Sequence, residues 1–165
     1  MSSKLEKALT FTLQCEVGPW FNSEDVETAQ GLCATKEQQR KTGYVHHAAD
    51  PGGETKFGIA AKFHPGLDIK KMTLADALVI YKRIYWDARG LEKYPLPMAV
   101  ALFDSYVLHS PKTVQSWRDD ASDYRSLLRL RRDFYYSKPK GPFTDGWVNR
   151  VNNLMKYTDI LAQGN

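Results

Sequence analysis

Residues 43–59 read GYVHHAADPGGETKFGI and combine glycines, a proline, two carboxylates and a threonine with short apolar anchors. This composition disfavours long regular structure and favours a tight, ordered turn that carries polar groups. Asp50 is restricted to an extended conformation by Pro51, whereas Gly52 and Gly53 permit positive φ or a close backbone approach. The same spacing is typical of an ordinary hairpin turn, so residue types alone leave a structural and a functional role open.

Most of the remaining chain is predicted to be helical. Apolar residues recur at helical spacing, and Thr73-Leu74-Ala75-Asp76 has the form of a capping box. Proline suits the first turn of a helix, which assigns this position to Pro97 and Pro111. Helices are expected over residues 4–16, 73–86, 97–108, 122–136 and 144–161, with a shorter one from Pro111. The sequence therefore predicts a mainly α protein, with a small β-hairpin element around residues 44–60.

Length, composition and charge bound the classes of protein. The chain has 165 residues with 42% hydrophobic content, which predicts a single domain over residues 1–165. Its first residues are charged and lead into an amphipathic helix, so we expect neither a signal peptide nor stable membrane insertion. A net charge of +4 favours approach to anionic surfaces. No nucleic-acid-binding motif is visible, and a solvated helix face is expected for the cluster Arg125, Arg129, Arg131 and Arg132.

The two cysteines fit no metal-binding pattern. Cys15 and Cys33 have no second pair and no suitably spaced histidines, so we expect no metal site. A disulfide between them is conceivable outside a reducing compartment, although free buried thiols are the default.

The string DPGGETKFGI at residues 50–59 resembles the signature of glycoside hydrolase family 108, which comprises phage and prophage N-acetylmuramidases that cleave peptidoglycan. Residues 15–18 resemble the Glu-Gly-Gly-Tyr element of the family. Further family-like elements lie at Tyr81–Asp87, Phe103-Asp104, Arg132–Tyr135 and Gly146–Arg150. The resemblance implies an α+β lysozyme-like fold, no metal or organic cofactor, and a helical part at about residues 97–165 that binds peptidoglycan.

The resemblance places Glu16 at the position of the family's catalytic glutamate. Glu16 ends an apolar helix near Trp20, where partial desolvation would favour the protonated acid, although a solvated carboxylate at a helix end is the ordinary alternative. Asp50 and Thr55 are its expected catalytic partners, one stabilising charge and the other positioning water. Asp50 is equally suited to form the turn before Pro51, and Glu54 is a competing second carboxylate.

A sugar cleft needs aromatic faces and hydrogen-bonding groups. The candidate substrate-binding residues are Tyr44, Gly52, Gly53, Phe57, Tyr85, Trp86, Tyr106 and His109. Aromatic residues at helical spacing are also typical of a core. Two family features are absent, because His46-His47-Ala48 follows Val45 and Leu108 occupies the place of an expected asparagine; His47 or His109 could supply the lost hydrogen bonds.

Residues 19–42 separate two segments that are contiguous in the family. This stretch is rich in Glu, Thr, Gln and Lys, which predicts an insertion made of solvated loop or short surface helices. A lid or wall on the cleft is the functional alternative.

Together these features predict an endolysin that hydrolyses the β-1,4 bond between N-acetylmuramic acid and N-acetylglucosamine. The rivals are a lytic transglycosylase and a non-catalytic protein that binds the wall or serves in the virion. As an endolysin, the chain is expected to be a monomer made in the host cytoplasm. It would act on peptidoglycan after release that depends on a holin. Neither a nucleic-acid partner nor a preference between the retaining and inverting outcomes follows from the sequence.

Overall fold

The computed structural model describes residues 1–24, 33–46 and 53–164. Its α-helices are α1 Ser3–Val17, α2 Lys36–Thr42, α3 Leu74–Ile80, α4 Leu96–Leu108, α5 Pro111–Asp120, α6 Tyr124–Tyr136 and α7 Thr144–Gln163. The strands β1 (Thr55–Lys56) and β2 (Ile59–Ala60) pair in antiparallel register. This confirms the mainly α class with one small hairpin and is consistent with a lysozyme-like fold.

Local sequence signals produce the helix boundaries. The Thr73 side chain accepts a hydrogen bond from the Asp76 backbone N–H, and the Asp76 side chain accepts one from the Thr73 backbone N–H, which completes the expected capping box. Pro97 and Pro111 lie in the first turns of α4 and α5. The single helix expected over 73–86 is instead an α-helix to Ile80 followed by a π-helical stretch, Tyr81–Trp86.

The chain divides into two compact units, and α1 contributes to both. The first unit contains residues 1–11 and 84–165 and is built around α4, which packs against α5, α6 and α7. Residues 99–105 of α4 are buried on every side of the helix. A mostly apolar helix that is buried around its whole circumference must be covered by neighbours, which explains its central position.

A buried ionic cluster joins three helices of the first unit. The Asp104 carboxylate on α4 is fully buried and accepts hydrogen bonds from Arg131 Nη1 at 2.9 Å and from Arg150 Nη2 at 2.6 Å. Burial alone would raise the pKa of Asp104, but Arg150 and Arg131 hold this pKa far below its usual range. The prediction that Arg131 lies on a solvated helix face is therefore wrong. Its side chain is 0% exposed, and its positive charge compensates the negative charge of a buried carboxylate.

The second unit contains residues 12–83 and includes the hairpin, α2 and α3. Its core contains buried side chains from the hairpin, from the segment before α3, from the start of α3 and from the residue that follows α3: Phe57, Ile59, Ile69, Met72, Leu74 and Tyr81. Within the region predicted as an insertion, α2 is a short helix whose residues are exposed or half-buried, except for Thr42, which is buried. Residues 25–32 of that region lie outside the described residues.

The cysteines are thiols in this structure. Cys33 is buried and donates a hydrogen bond from Sγ to the Lys70 carbonyl oxygen at 3.3 Å, whereas Cys15 is exposed. The default of reduced thiols therefore holds, but burial applies only to Cys33.

Candidate active site

Glu16 lies in the last turn of α1, half-buried, in the second unit. The helix is followed by Gly18, whose φ of +133° falls in the region that favours glycine, and the Trp20 indole packs on the face where a Cβ would be. Trp20 donates from Nε1 to the Arg40 carbonyl oxygen at 3.1 Å. The end of α1 is thus fixed by a glycine turn and by an indole anchored to α2.

The hairpin turn approaches Glu16 directly. Phe57 and Gly58 connect β1 to β2 with φ values of 51° and 77°, as a two-residue turn with both φ angles positive requires. A Cβ added to Gly58 would lie 2.7 Å from Glu16 Cγ and 2.7 Å from the Tyr81 hydroxyl oxygen. Only glycine leaves room for the Glu16 side chain beside this turn.

Tyr81 and Gly43 complete the surroundings of Glu16. The Tyr81 hydroxyl donates to the Phe57 carbonyl oxygen at 2.8 Å, which ties the π-helical stretch to the turn. Gly43 ends α2 with a φ of +62°, and a Cβ there would lie 3.3 Å from the Glu16 carbonyl oxygen. The Glu16 side chain therefore packs beside Gly58 near the Tyr81 hydroxyl, and the Glu16 backbone lies against Gly43. The sequence placed Tyr81 in a family-like element but did not predict its position near Glu16.

If Glu16 is the catalytic acid expected from the sequence, we expect Gly58→Ala to reduce turnover at least about tenfold, because the new methyl group displaces the Glu16 side chain or the Tyr81 hydroxyl. Gly66→Ala is the matched control, since Gly66 also has a positive φ of +88° but has no atom within 4 Å of the added Cβ. Both variants carry backbone strain of roughly 1 kcal/mol. Turnover and thermal melting should be measured for both. Equal loss of turnover in the two variants would contradict this role of Gly58.

A second carboxylate is held near the start of the hairpin. Glu54 Oε1 accepts a hydrogen bond from the Tyr44 hydroxyl at 2.7 Å and lies 3.9 Å from His46 Nδ1. The hydrogen bond to Glu54, with burial and the negative charge of Glu54, raises the pKa of Tyr44 to about 12. Tyr44 therefore remains a hydrogen-bond donor to Glu54 across the neutral range. Spacing alone did not reveal this pair.

The structure describes three further residues that the motif predicts for the site: Gly53, Thr55 and Phe57. Thr55 is half-buried in β1, and its backbone exchanges two 2.9 Å hydrogen bonds with Val45. Gly53 adopts a φ of +70°, as expected for its turn. Phe57 is 0% exposed, an environment typical of the core and not of a surface that stacks on sugars. Asp50, Gly52 and His47 lie outside the described residues.

The remaining candidates belong to the first unit. Trp86 is 2% exposed, donates from Nε1 to Glu92 Oε2 at 3.1 Å and packs edge-on against Phe103, so it too has the environment of a core residue. Tyr85 is half-buried in the π-helical stretch. The centroid of the Tyr106 ring lies 5.4 Å from the Arg89 guanidinium carbon, and burial raises the pKa of the Tyr106 hydroxyl.

His109 borders an aromatic pocket of about 290 Å³ at the ends of α4 and α6. Arg131 Nε donates to the Tyr135 hydroxyl at 3.2 Å, and that hydroxyl lies 2.6 Å from His109 Nε2. His109 Nε2 and the Tyr135 hydroxyl therefore share a hydrogen bond whose direction is set by the imidazole tautomer. Burial, with a contribution from Arg131, lowers the pKa of His109 to about 4. His109 is neutral at pH 7.

The far wall of this pocket is the Trp147 indole. Its ring stacks on Tyr135 with centroids 5.5 Å apart and remains 44% exposed. Lys138 also lines the pocket. The pocket thus combines an exposed aromatic face with a neutral imidazole and an ammonium group. Trp147 was missed as a separate candidate, although it belongs to a sequence element that resembles the family.

Neither a cluster of metal ligands nor a membrane-spanning helix is found in the part of the chain that the structure describes. Among residues 1–24, 33–46 and 53–164, no group of three or more His, Cys, Asp or Glu side chains is arranged to hold a metal ion. In the same ranges, no helix has both the length and the apolar character needed to cross a bilayer.

Comparison with models of protein families gives a match over part of the chain. The family model described as Glycosyl hydrolase 108 matches residues 36–109. The matched segment includes Gly43, Tyr44, Thr55, Gly58 and Tyr81, whereas Glu16 precedes it. No curated protein and no solved structure matches the chain.

Proposed function

Since residues 36–109 belong to glycoside hydrolase family 108, we propose that this glycosidase is an endolysin with N-acetylmuramidase activity. Its substrate is the β-1,4 bond between N-acetylmuramic acid and N-acetylglucosamine in bacterial peptidoglycan. One observation carries the proposal: the Glu16 side chain packs on Gly58, within the hairpin that the matched family segment contains.

Glu16 is proposed as the general acid. Glu16 is half-buried, and its Cβ and Cγ atoms lie beside Gly58, next to the Tyr81 hydroxyl. In the reaction, Glu16 donates its proton to the glycosidic oxygen while the bond from that oxygen to the anomeric carbon breaks. Water then bonds to the anomeric carbon through its oxygen, and its released proton returns the carboxyl groups to their starting state.

Asp50 and Thr55 are proposed to act on the anomeric carbon. The Asp50 carboxylate stabilises positive charge as the bond breaks, and the Thr55 hydroxyl positions the water. Thr55 lies on the strand that leads into the turn beside Glu16, which places it in the same hairpin. Glu54 is the competing carboxylate, but its Oε1 already accepts a hydrogen bond from the Tyr44 hydroxyl.

Two amide substitutions separate these carboxylates. Asp50→Asn is expected to lower turnover at least about tenfold, because the charge that faces the cationic transition state is lost. Glu54→Gln should change turnover by less than about threefold, since the amide oxygen can still accept the Tyr44 hydrogen bond. Turnover on purified peptidoglycan and melting temperature should be measured for both. A larger turnover loss in Glu54→Gln would make Glu54 the second carboxylate.

The pocket beside His109 is proposed to bind the glycan strand. The exposed Trp147 face suits the C–H face of a pyranose, and the neutral His109 and Lys138 supply polar groups. Trp147→Ala should weaken binding of a chitotetraose probe about tenfold, as expected for loss of an aromatic stacking partner. Tyr136→Ala is the control, because Tyr136 is an exposed aromatic residue outside this pocket. Calorimetry that gives equal affinities for wild type and Trp147→Ala would contradict the assignment.

Hydrolysis of purified sacculi tests the function itself. The protein should release reducing groups from peptidoglycan without added metal, and the wall suspension should clear. Intact sacculi after prolonged incubation would favour a wall-binding or virion protein.

The proposal also includes action as a monomer after holin-dependent release from the host cytoplasm. Lysis of bacteria that express this chain alone, without a helper membrane protein, would contradict the release step.

A further inference from the structure

A second pocket, with a volume of about 310 Å³, lies in the first unit where the segment before α4 meets the end of α5 and the start of α6. Its lining is largely apolar and includes two prolines, a methionine and a tyrosine ring. Its lining also carries one cation and one carboxylate. The residues that matter are Tyr94, Pro95, Pro97, Met98, Arg118 and Asp123.

The cation is Arg118, near the end of α5, and it has an unused donor. Its guanidinium carbon lies 5.1 Å from the centroid of the Tyr94 ring, which holds the planar group in place. Arg118 Nε is buried and, within the part of the chain that the structure describes, has no acceptor. A buried N–H without a partner is unfavourable, so an acceptor supplied by a ligand would be favoured here.

A second arginine repeats this arrangement close by. The Arg89 guanidinium stacks over Tyr106 at 5.4 Å, and its Nε is also buried without an acceptor among the described residues. The positive charges of Arg89 and Arg118 both act to lower the pKa of Tyr106, although burial raises it overall. This side of the unit therefore presents positive charge with unmet donors.

The carboxylate in the pocket, Asp123, is partly engaged. It caps α6 and accepts the Ser126 backbone N–H at 2.7 Å, and that hydrogen bond lowers the pKa of Asp123. Asp123 remains charged and can accept further N–H groups. A ligand that satisfies both residues must offer an acceptor to Arg118 and an N–H to Asp123. It must also place an aliphatic group against Pro95, Pro97 and Met98.

We propose that this pocket binds the C-terminal end of a short peptide of the cell wall. The terminal carboxylate pairs with Arg118, the adjacent amide N–H faces Asp123, and the small side chain packs on the prolines and Met98. Arginine suits this role because its planar guanidinium matches a carboxylate in geometry and charge. The inference rests on the proposed function, since peptidoglycan carries such peptides beside its glycan strands.

Methyl NMR of the full chain tests the pocket without any need for catalysis. Met98 lines the pocket, whereas Met72 and Met155 do not, so labelled methionine methyl groups give a probe with internal controls. N-acetyl-D-alanyl-D-alanine should shift the Met98 resonance and leave those of Met72 and Met155 in place. Its C-terminal amide and chitobiose, which lack the carboxylate, should not. A shift with the amide or with chitobiose, or none with the acid up to about 10 mM, overturns the proposal.

Substitution of the arginine gives a second test. Arg118→Gln should weaken the dipeptide affinity about 10- to 100-fold, as expected for loss of a charged hydrogen bond. Arg129→Gln removes the same charge from an exposed position on α6 and should leave the affinity unchanged. Equal effects of the two would overturn the proposal. Wall hydrolysis without a Met98 shift rejects only this inference, whereas a Met98 shift without hydrolysis rejects only the proposed function.

Discussion

Glu16→Gln is expected to lower the turnover of peptidoglycan hydrolysis by about 10² to 10⁴-fold, because an amide keeps the shape of the side chain but cannot act as a carboxylic acid. The space beside Gly58 should accept glutamine, since the two side chains are nearly isosteric. Turnover should be measured as release of reducing groups from purified peptidoglycan, together with binding to insoluble walls, which should not change.

Glu6→Gln is the matched control for Glu16→Gln. Glu6 lies on the same helix α1, is exposed, and is remote in sequence from the hairpin. Its substitution should alter neither turnover nor melting temperature. If Glu16→Gln retains more than about a tenth of the wild-type turnover, Glu16 is not the general acid.

Asp104→Asn is expected to reduce the free energy of unfolding by about 3–5 kcal/mol, because it leaves the buried guanidinium of Arg131 and the adjacent Arg150 without their carboxylate. Asp133→Asn, at an exposed position on α6, is the control and should cost less than about 0.5 kcal/mol. Urea denaturation at neutral pH measures both. Similar losses in the two variants would show that the buried cluster contributes little.

The same carboxylate makes stability depend on pH in the acid range. Because the folded-state pKa of Asp104 is held below the unfolded value of about 3.9, its contribution is fully present above that value. The contribution is lost as the pH falls through the lower folded-state pKa. The difference in unfolding free energy between wild type and Asp104→Asn should therefore be constant above about pH 5 and shrink below about pH 4. A difference that does not change down to about pH 2 would contradict this linkage.

Features with local causes were predictable from the sequence. The capping box at Thr73, the prolines that open α4 and α5, and the helical spacing of α1 each involve residues within a few positions of one another. The position of the hairpin along the chain was predictable, since glycines and short apolar runs restrict that segment to a turn.

Features that depend on distant residues were not predictable. Arg131 has the sequence environment of a solvated arginine, and only the partner Asp104, 27 positions away, explains its burial. Phe57 and Trp86 have the residue type that a sugar cleft needs, but packing in their own units leaves them almost no exposed surface. Likewise, Gly58 and the Tyr81 hydroxyl lie near the Glu16 side chain because of folding and not because of proximity in sequence.

The central claim is the proposal that this protein hydrolyses the β-1,4 bond between N-acetylmuramic acid and N-acetylglucosamine, with water as the acceptor. Mass spectrometry of soluble fragments from purified peptidoglycan tests it most directly. The account predicts disaccharide peptides that end in reducing N-acetylmuramic acid, and their absence when Glu16→Gln replaces the wild-type protein. Fragments that end in anhydro-muramic acid would identify a lytic transglycosylase, and fragments that end in reducing N-acetylglucosamine would place the cleavage at the other glycosidic bond. Either result would contradict the account.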